Sequence, residues 1–239
     1  MKLLCYPLAA SVICVIVMAM QPSETTEPPL DPTPVLGSGE PSPRGRHSLR
    51  ETLSTVLLLL LAPLIAVGLT LYVFQSYQVD GPSMEQTLQN NDRLIVWKLP
   101  RTWAKITGHQ YIPNRGDVII LNESGLSEFG ASTEQRQLVK RVIGLPGDRV
   151  VIKDNVVTIY NAQYPNGFEP DATLPYGADG KIPPTANIVD TELADDELYV
   201  CGDNRTNSLD SRSFGPIKTD QVVGKLVLRM MPLSNIKKF

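Results

Sequence analysis

The 239-residue chain carries 22 lysines and arginines against 25 aspartates and glutamates, a formal net charge of -3. That balance argues against nucleic acid as the main partner. The average composition is that of a soluble protein, but the apolar residues are unevenly distributed along it.

Leu3 to Met20 is free of charge. It reads as a membrane span with Met1 outside or as a signal-like apolar region, and the span is preferred, giving a first element over residues 1–21. Residues 22–51 contain Pro22, Pro28, Pro29, Pro32, Pro34, Pro41 and Pro43 among Ser, Thr and Glu, a mixture that forms a semi-extended linker and no packed core. From Thr52 to Val79 charge is again absent. At about 1.5 Å per residue this run is long enough to cross a hydrocarbon layer of roughly 30 Å, and it has no polar face to show to water. Pro63 and Gly68 do not exclude a transmembrane helix. Arg44, Arg46, His47 and Arg50 precede it and Asp80 and Glu85 follow it, so positive charge retained inside puts residues beyond Val79 outside the cytoplasm.

From Arg93 onward the pattern is one of short strands: 94–97, 117–121, 137–143, 149–152, 156–159, 197–200 and 222–230. Turn signals such as Pro146-Gly147-Asp148 and Lys153-Asp154-Asn155 separate them. The prediction is a mostly β fold preceded by one or two transmembrane helices. Residues 80–149 and 197–239 make the main β domain, and 150–196, where Gly and Pro crowd between Ala162 and Pro184, make a smaller loop-rich inserted lobe.

Cys5 and Cys14 lie in the first apolar segment and Cys201 far away, which suggests neither a disulfide nor a metal site; Cys201 reads as a buried residue. The chain has only two histidines, His47 in the linker and His109 in a polar loop. A Ser/His/Asp triad would have to recruit His109, and a surface histidine is the better reading. A serine nucleophile then needs another base, and lysine serves once burial removes its charge. Asp80-Gly81-Pro82-Ser83-Met84 follows the apolar run directly, and Gly and Pro suit a sharp turn that holds Ser83 out. Lys140 lies in Leu138-Val139-Lys140-Arg141-Val142-Ile143. Alternation sends the two cations to opposite faces, so one can point inward while the other reaches solvent or a carboxylate. Each residue alone has a plain reading as well, a serine in a turn and a surface lysine on an edge strand.

Four blocks together resemble bacterial type I signal peptidases: G-P-S-M-E-Q-T-L at Gly81–Leu88, R-G-D-V-I-I-L at Arg115–Leu121, K-R-V-I-G-L-P-G-D at Lys140–Asp148, and G-D-N-R-T-N-S-L-D-S-R-S-F-G at Gly202–Gly215. The resemblance implies a signal peptidase-like β catalytic domain, with Ser83 as nucleophile and Lys140 as general base of a Ser/Lys dyad. It implies that Ser208 orients the lysine amine and that Asp210 and Arg212 form a charged pair behind the site. It also implies backbone oxyanion donors near Gly81 and Ser83, and shallow pockets for Ala-X-Ala-like leader residues lined by Val79, Met84, Leu88, Leu138 and Val139. No metal or cofactor is implied. The partners implied are signal peptides of exported preproteins and membrane lipid, at the bacterial plasma membrane with the catalytic part outside; no pattern bears on oligomeric state. Gln86 stands where the family usually has Pro, which leaves the segment after Ser83 less constrained. The competing reading is a membrane-anchored β domain that binds exported partners without catalysis; the presence of both Ser83 and Lys140 argues against it.

Overall fold

The computed structural model describes residues 2–6, 49–123, 136–177 and 180–239. Two compact units divide the chain, residues 8–69 and the remainder.

In the first unit, α1 (Leu49–Gly68) contains Pro63. Leu57 to Leu61 are consecutive and all exposed, and five consecutive helical residues point in every direction around the axis. The helix gives way to a π-helical turn at Leu69–Val73. Beyond it, Phe74–Asp80 is strand β2, which corrects the expectation of one transmembrane helix over 52–79. Among the described residues no helix is long and apolar enough to cross a membrane. The charge-free part of α1 runs only from Thr52 to Gly68, about 25 Å of helix against roughly 30 Å of hydrocarbon. The expected first span is also corrected at its start: Lys2–Tyr6 is a strand, β1, paired antiparallel with β2. The rest of that segment and linker residues 22–48 lie outside the described residues.

The second unit is built on antiparallel sheets. After β1 and β2 come β3 (Arg93–Trp97), the helix α2 (Leu99–Thr107), β4 (Val118–Glu123) and β5 (Arg136–Gly144). Then follow β6 (Arg149–Lys153), β7 (Val156–Tyr160), the short helix α3 (Pro170–Thr173), β8 (Val189–Glu192) and β9 (Glu197–Cys201). The chain closes with the one-turn α4 (Ser211–Phe214), β10 (Ile217–Lys218), β11 (Val222–Met231) and β12 (Lys237–Lys238). The larger sheet runs β1-β2-β3-β11-β4-β5-β9-β10, with β12 on β11, and a three-stranded sheet runs β7-β6-β8.

Alternation explains most of these strands. In β3, Leu94 and Val96 are fully buried between exposed Arg93 and Trp97, the period-2 pattern of a half-buried strand. The β6–β7 hairpin turns through Asp154 and Asn155, both at positive φ (52° and 65°), the left-handed pair that a two-residue turn matched to strand twist demands. Pairing of β11 with β3 shifts register twice, between Leu226 and Leu228 and between Arg229 and Met231; such bulges bend the strand. Residues from the two faces of β4 and β5 enter different core clusters, Ile120 and Val139 one, Ile119, Leu138 and Val142 the other.

Candidate active site

Lys140 sits mid-strand on β5, on the face shared with Leu138 and Val142, and directly opposite Ile119 of β4. All three apolar neighbours are buried and Lys140 itself is 1% exposed. Burial brings its pKa down from 10.5 to about 8; the Asp210 carboxylate opposes the shift and the Arg212 guanidinium assists it. The amine is held in place: Lys140 Nζ lies 3.1 Å from Ser208 Oγ. Arg141, the adjacent cation, points to the opposite face as alternation requires. There Arg141 makes a bidentate pair with Asp203, Nε to Oδ1 at 2.7 Å and Nη2 to Oδ2 at 2.5 Å, and donates to the Gly116 carbonyl at 2.7 Å.

Ser83 is also buried, 4% exposed, in the turn after β2. Gly81 adopts φ 110°, a conformation open to glycine and costly for other residues. After Ser83 the backbone coils, with the amides of Thr87 and Leu88 both donating to the Met84 carbonyl. The loop after β9 holds this turn: the Asn204 amide donates to the Ser83 carbonyl at 3.0 Å, and Asn204 Nδ2 reaches the Pro82 carbonyl at 3.2 Å. Thr87 Oγ1 is hydrogen-bonded to Asp203. Gly202 is the point of closest approach: a Cβ there would lie 2.5 Å from the Ser83 carbonyl oxygen and closer still to Ser208 Oγ. One small residue thus brings the serine turn and the lysine's partner side by side.

Behind them, Asp210 and Arg212 form a two-pronged ion pair with both contacts at 2.8 Å. Asp210 Oδ2 also accepts from the Gly202 amide at 2.9 Å. Burial pushes the Asp210 pKa up, but Arg212, the Gly202 amide and the Ser208 hydroxyl more than offset this and hold it below the usual carboxylate value. Asp210 therefore stays ionised, and Ser208 bridges its carboxylate and the Lys140 amine. Arg205 is fully buried and bonds to Gly202 O, Asp171 and Thr185. Its Nε closes the turn at residues 202–205 onto the Gly202 carbonyl, and the rest of its guanidinium ties that turn to Asp171 and Thr185.

One expectation changes. Gly81 does not present a free amide, because it donates to Asn90 Oδ1 at 2.9 Å. The five apolar residues expected to line shallow pockets divide between two clusters, Val79, Met84, Leu88 and Val139 in one and Leu138 in the other. All are 2% exposed or less, so they contribute to the core as it stands. Gln86, by contrast, is exposed and borders a cleft of about 360 Å³ with Thr87, Arg141 and Tyr176. Cys201 is free and buried, with its thiol pushed up to about 12 by burial first and the Asp210 charge second; it remains protonated and unreactive. His109 is exposed. Sequence reasoning missed Asn90 and the Arg205–Asp171 pair. The first is a contact between neighbouring turns with no pattern of its own, and the second joins residues 34 apart across two elements.

Residues 52–231 match the family described as signal peptidase, peptidase S26. A probable signal peptidase I-2 of Synechocystis sp. is 31% identical over 175 residues, covering 73% of this chain and 71% of that one. Signal peptidase I of Bacillus caldolyticus is 33% identical over 177 residues, 70% of this chain and 85% of its own length. A crystal structure of a signal peptidase I from Enterococcus faecalis V583 aligns with a TM-score of 0.36 at 25% identity, covering 48% of this chain and 97% of that one. With most of its length matched, from the apolar helix to the end of β11, this chain belongs to the signal peptidase family, peptidase S26.

Proposed function

We propose that this family member removes N-terminal signal peptides from exported preproteins with Ser83 as nucleophile and Lys140 as general base, held at the bacterial plasma membrane with its catalytic domain outside the cytoplasm. The observation that carries the reading is a buried lysine whose pKa is brought down to about 8 and whose amine is aimed by Ser208. Neutral Lys140 takes the Ser83 proton, and Ser83 Oγ attacks the scissile carbonyl. The protonated amine then gives that proton to the leaving nitrogen, and Lys140, neutral again, activates the water that hydrolyses the acyl-enzyme. Ser208, bridging Lys140 and the Asp210–Arg212 pair, fixes the amine's direction without adding charge. The Ser83 amide serves the oxyanion; Gly81 joins it only when Asn90 releases its N–H.

The membrane reading is supported by the uncharged run through α1 and the π-helical turn, by leucines exposed on every side of α1, and by the arginines before it. Tethering so close to Ser83 keeps the dyad near the bilayer surface, where a leader still in the membrane presents its cleavage bond.

The test is the pH dependence of preprotein cleavage by the purified enzyme. The active form of Lys140 is neutral, so activity is lost as pH falls through about 8, with kcat/KM dropping about tenfold per unit below it. A profile flat down to pH 5 would remove Lys140 as the base. Ser208→Ala is expected to lower kcat on the order of 100-fold with KM nearly unchanged, since it loosens only the amine's aim; unchanged steady-state kinetics would deny Ser208 that role.

A further inference from the structure

Two strand edges lead to the two catalytic groups. Strand β2 runs straight into the turn that holds Ser83, and β3 covers only one of its sides. Strand β5 carries Lys140 and pairs with β4 through residues 136–141 on one side; on the other, β9 joins it only from Arg141 onward. The stretch of β5 that ends in Lys140 thus keeps an edge clear of β9. An uncovered edge exposes a row of backbone donors and acceptors, with which an extended peptide of almost any sequence can pair.

Strand β1 occupies this place. Residues 2–6 pair antiparallel along β2, with Lys2 opposite Asp80 and Tyr6 opposite Ser76, and the same strand also adjoins β5. The pairing reaches the last residue of β2, at the start of the turn that holds Ser83. Pro7, which cannot donate to a ladder, follows the strand. Two features distinguish β1 from a substrate. Its chain leaves the nucleophile's turn as it proceeds, from Asp80 back to Ser76. Its sequence, Lys-Leu-Leu-Cys-Tyr, contains no alanine, glycine or serine, whereas the pockets proposed for the leader take Ala-X-Ala-like residues.

We infer that residues 2–6 are a built-in pseudosubstrate: they fill the peptide slot between β2 and β5 and must leave it before a preprotein enters. The inference rests on the Ser83–Lys140 reading above and adds an occupant to that site. Because the occupant belongs to the same chain, its local concentration does not fall on dilution. A strand docked in about nine molecules of ten leaves one in ten competent, which raises the apparent KM about tenfold and leaves kcat alone.

The test makes two measurements on the full chain. In the first, Leu4→Cys is combined with Gln78→Cys, positions that stand opposite each other in the register, in a background of Cys5→Ser and Cys14→Ser. Copper phenanthroline is expected to close a disulfide within one chain, seen as a shifted band on a non-reducing gel, and to abolish preprotein cleavage until dithiothreitol is added. In the second, deletion of residues 2–6 is expected to lower KM about tenfold with kcat nearly unchanged, and an added peptide of residues 1–7 should raise KM again by competition. No disulfide, a cross-linked enzyme that still cleaves, or an unchanged KM after deletion each overturns the inference while the dyad stands. A deletion that lowers kcat instead makes β1 a structural support of the site and overturns it as well. If neither the parent nor the deletion variant cleaves preprotein, the proposed function falls and the inference falls with it.

Discussion

Ser83→Ala and Lys140→Ala are each expected to lower kcat/KM for preprotein cleavage by at least about 10³-fold, and the double variant to lose little more. The two groups act on one proton, so removing either breaks the same step. Lys140→Arg should rescue nothing, because a guanidinium stays charged at every usable pH and cannot accept the serine proton. The variants should remain folded, since Lys140 sits among Ile119, Leu138 and Val142 and its burial disfavours the charged form. Lys140→Met, which keeps the length of the side chain without an amine to desolvate, is expected to unfold no earlier than the parent while being inactive. Gel assays of a purified preprotein alongside thermal unfolding separate the two effects. Activity near the parental level in either alanine variant would end the dyad proposal.

Asp203→Ala is expected to destabilise the fold by about 3–5 kcal/mol, the cost of leaving a buried guanidinium unpaired. Asp203 is fully buried and Arg141 is 4% exposed, and Thr87 Oγ1 depends on the same carboxylate. The loss should reach catalysis too, because Asn204, the next residue, holds the Ser83 carbonyl. Chemical denaturation in detergent gives the stability change. A change under about 1 kcal/mol would show that water reaches Arg141 once the carboxylate is gone.

The seven strand runs visible in the sequence all appear as strands within a residue or two of their expected limits. They were legible because each is an apolar run with a turn signal at its end. Strand β2 was not, since Phe74 to Val79 lacks charge and continues an apolar helix without a break; only the buried alternation of Tyr77 and Val79 marks it as a strand. Helix α2 escaped notice because it is nine residues long and its polarity is inverted. At the site, the Lys140-Arg141 doublet announced cations on opposite faces, one of them free to reach a carboxylate, as Arg141 reaches Asp203, and the Asp210–Arg212 pair was legible from the fourth block. The engagement of Gly81 by Asn90 was invisible, because it depends on how two turns fold back on each other.

Strand β11 lies between β3 and β4, although it follows both the nucleophile and the base along the chain. The strands leading into the nucleophile's turn fall on one side of it, and those carrying the base and its supporting loop on the other. Until residues 222–231 insert, the two halves of the catalytic machinery have no common sheet to hold them in register. A chain cut short before residue 222 is thus expected to leave preproteins uncut, which a cleavage assay of that truncation checks.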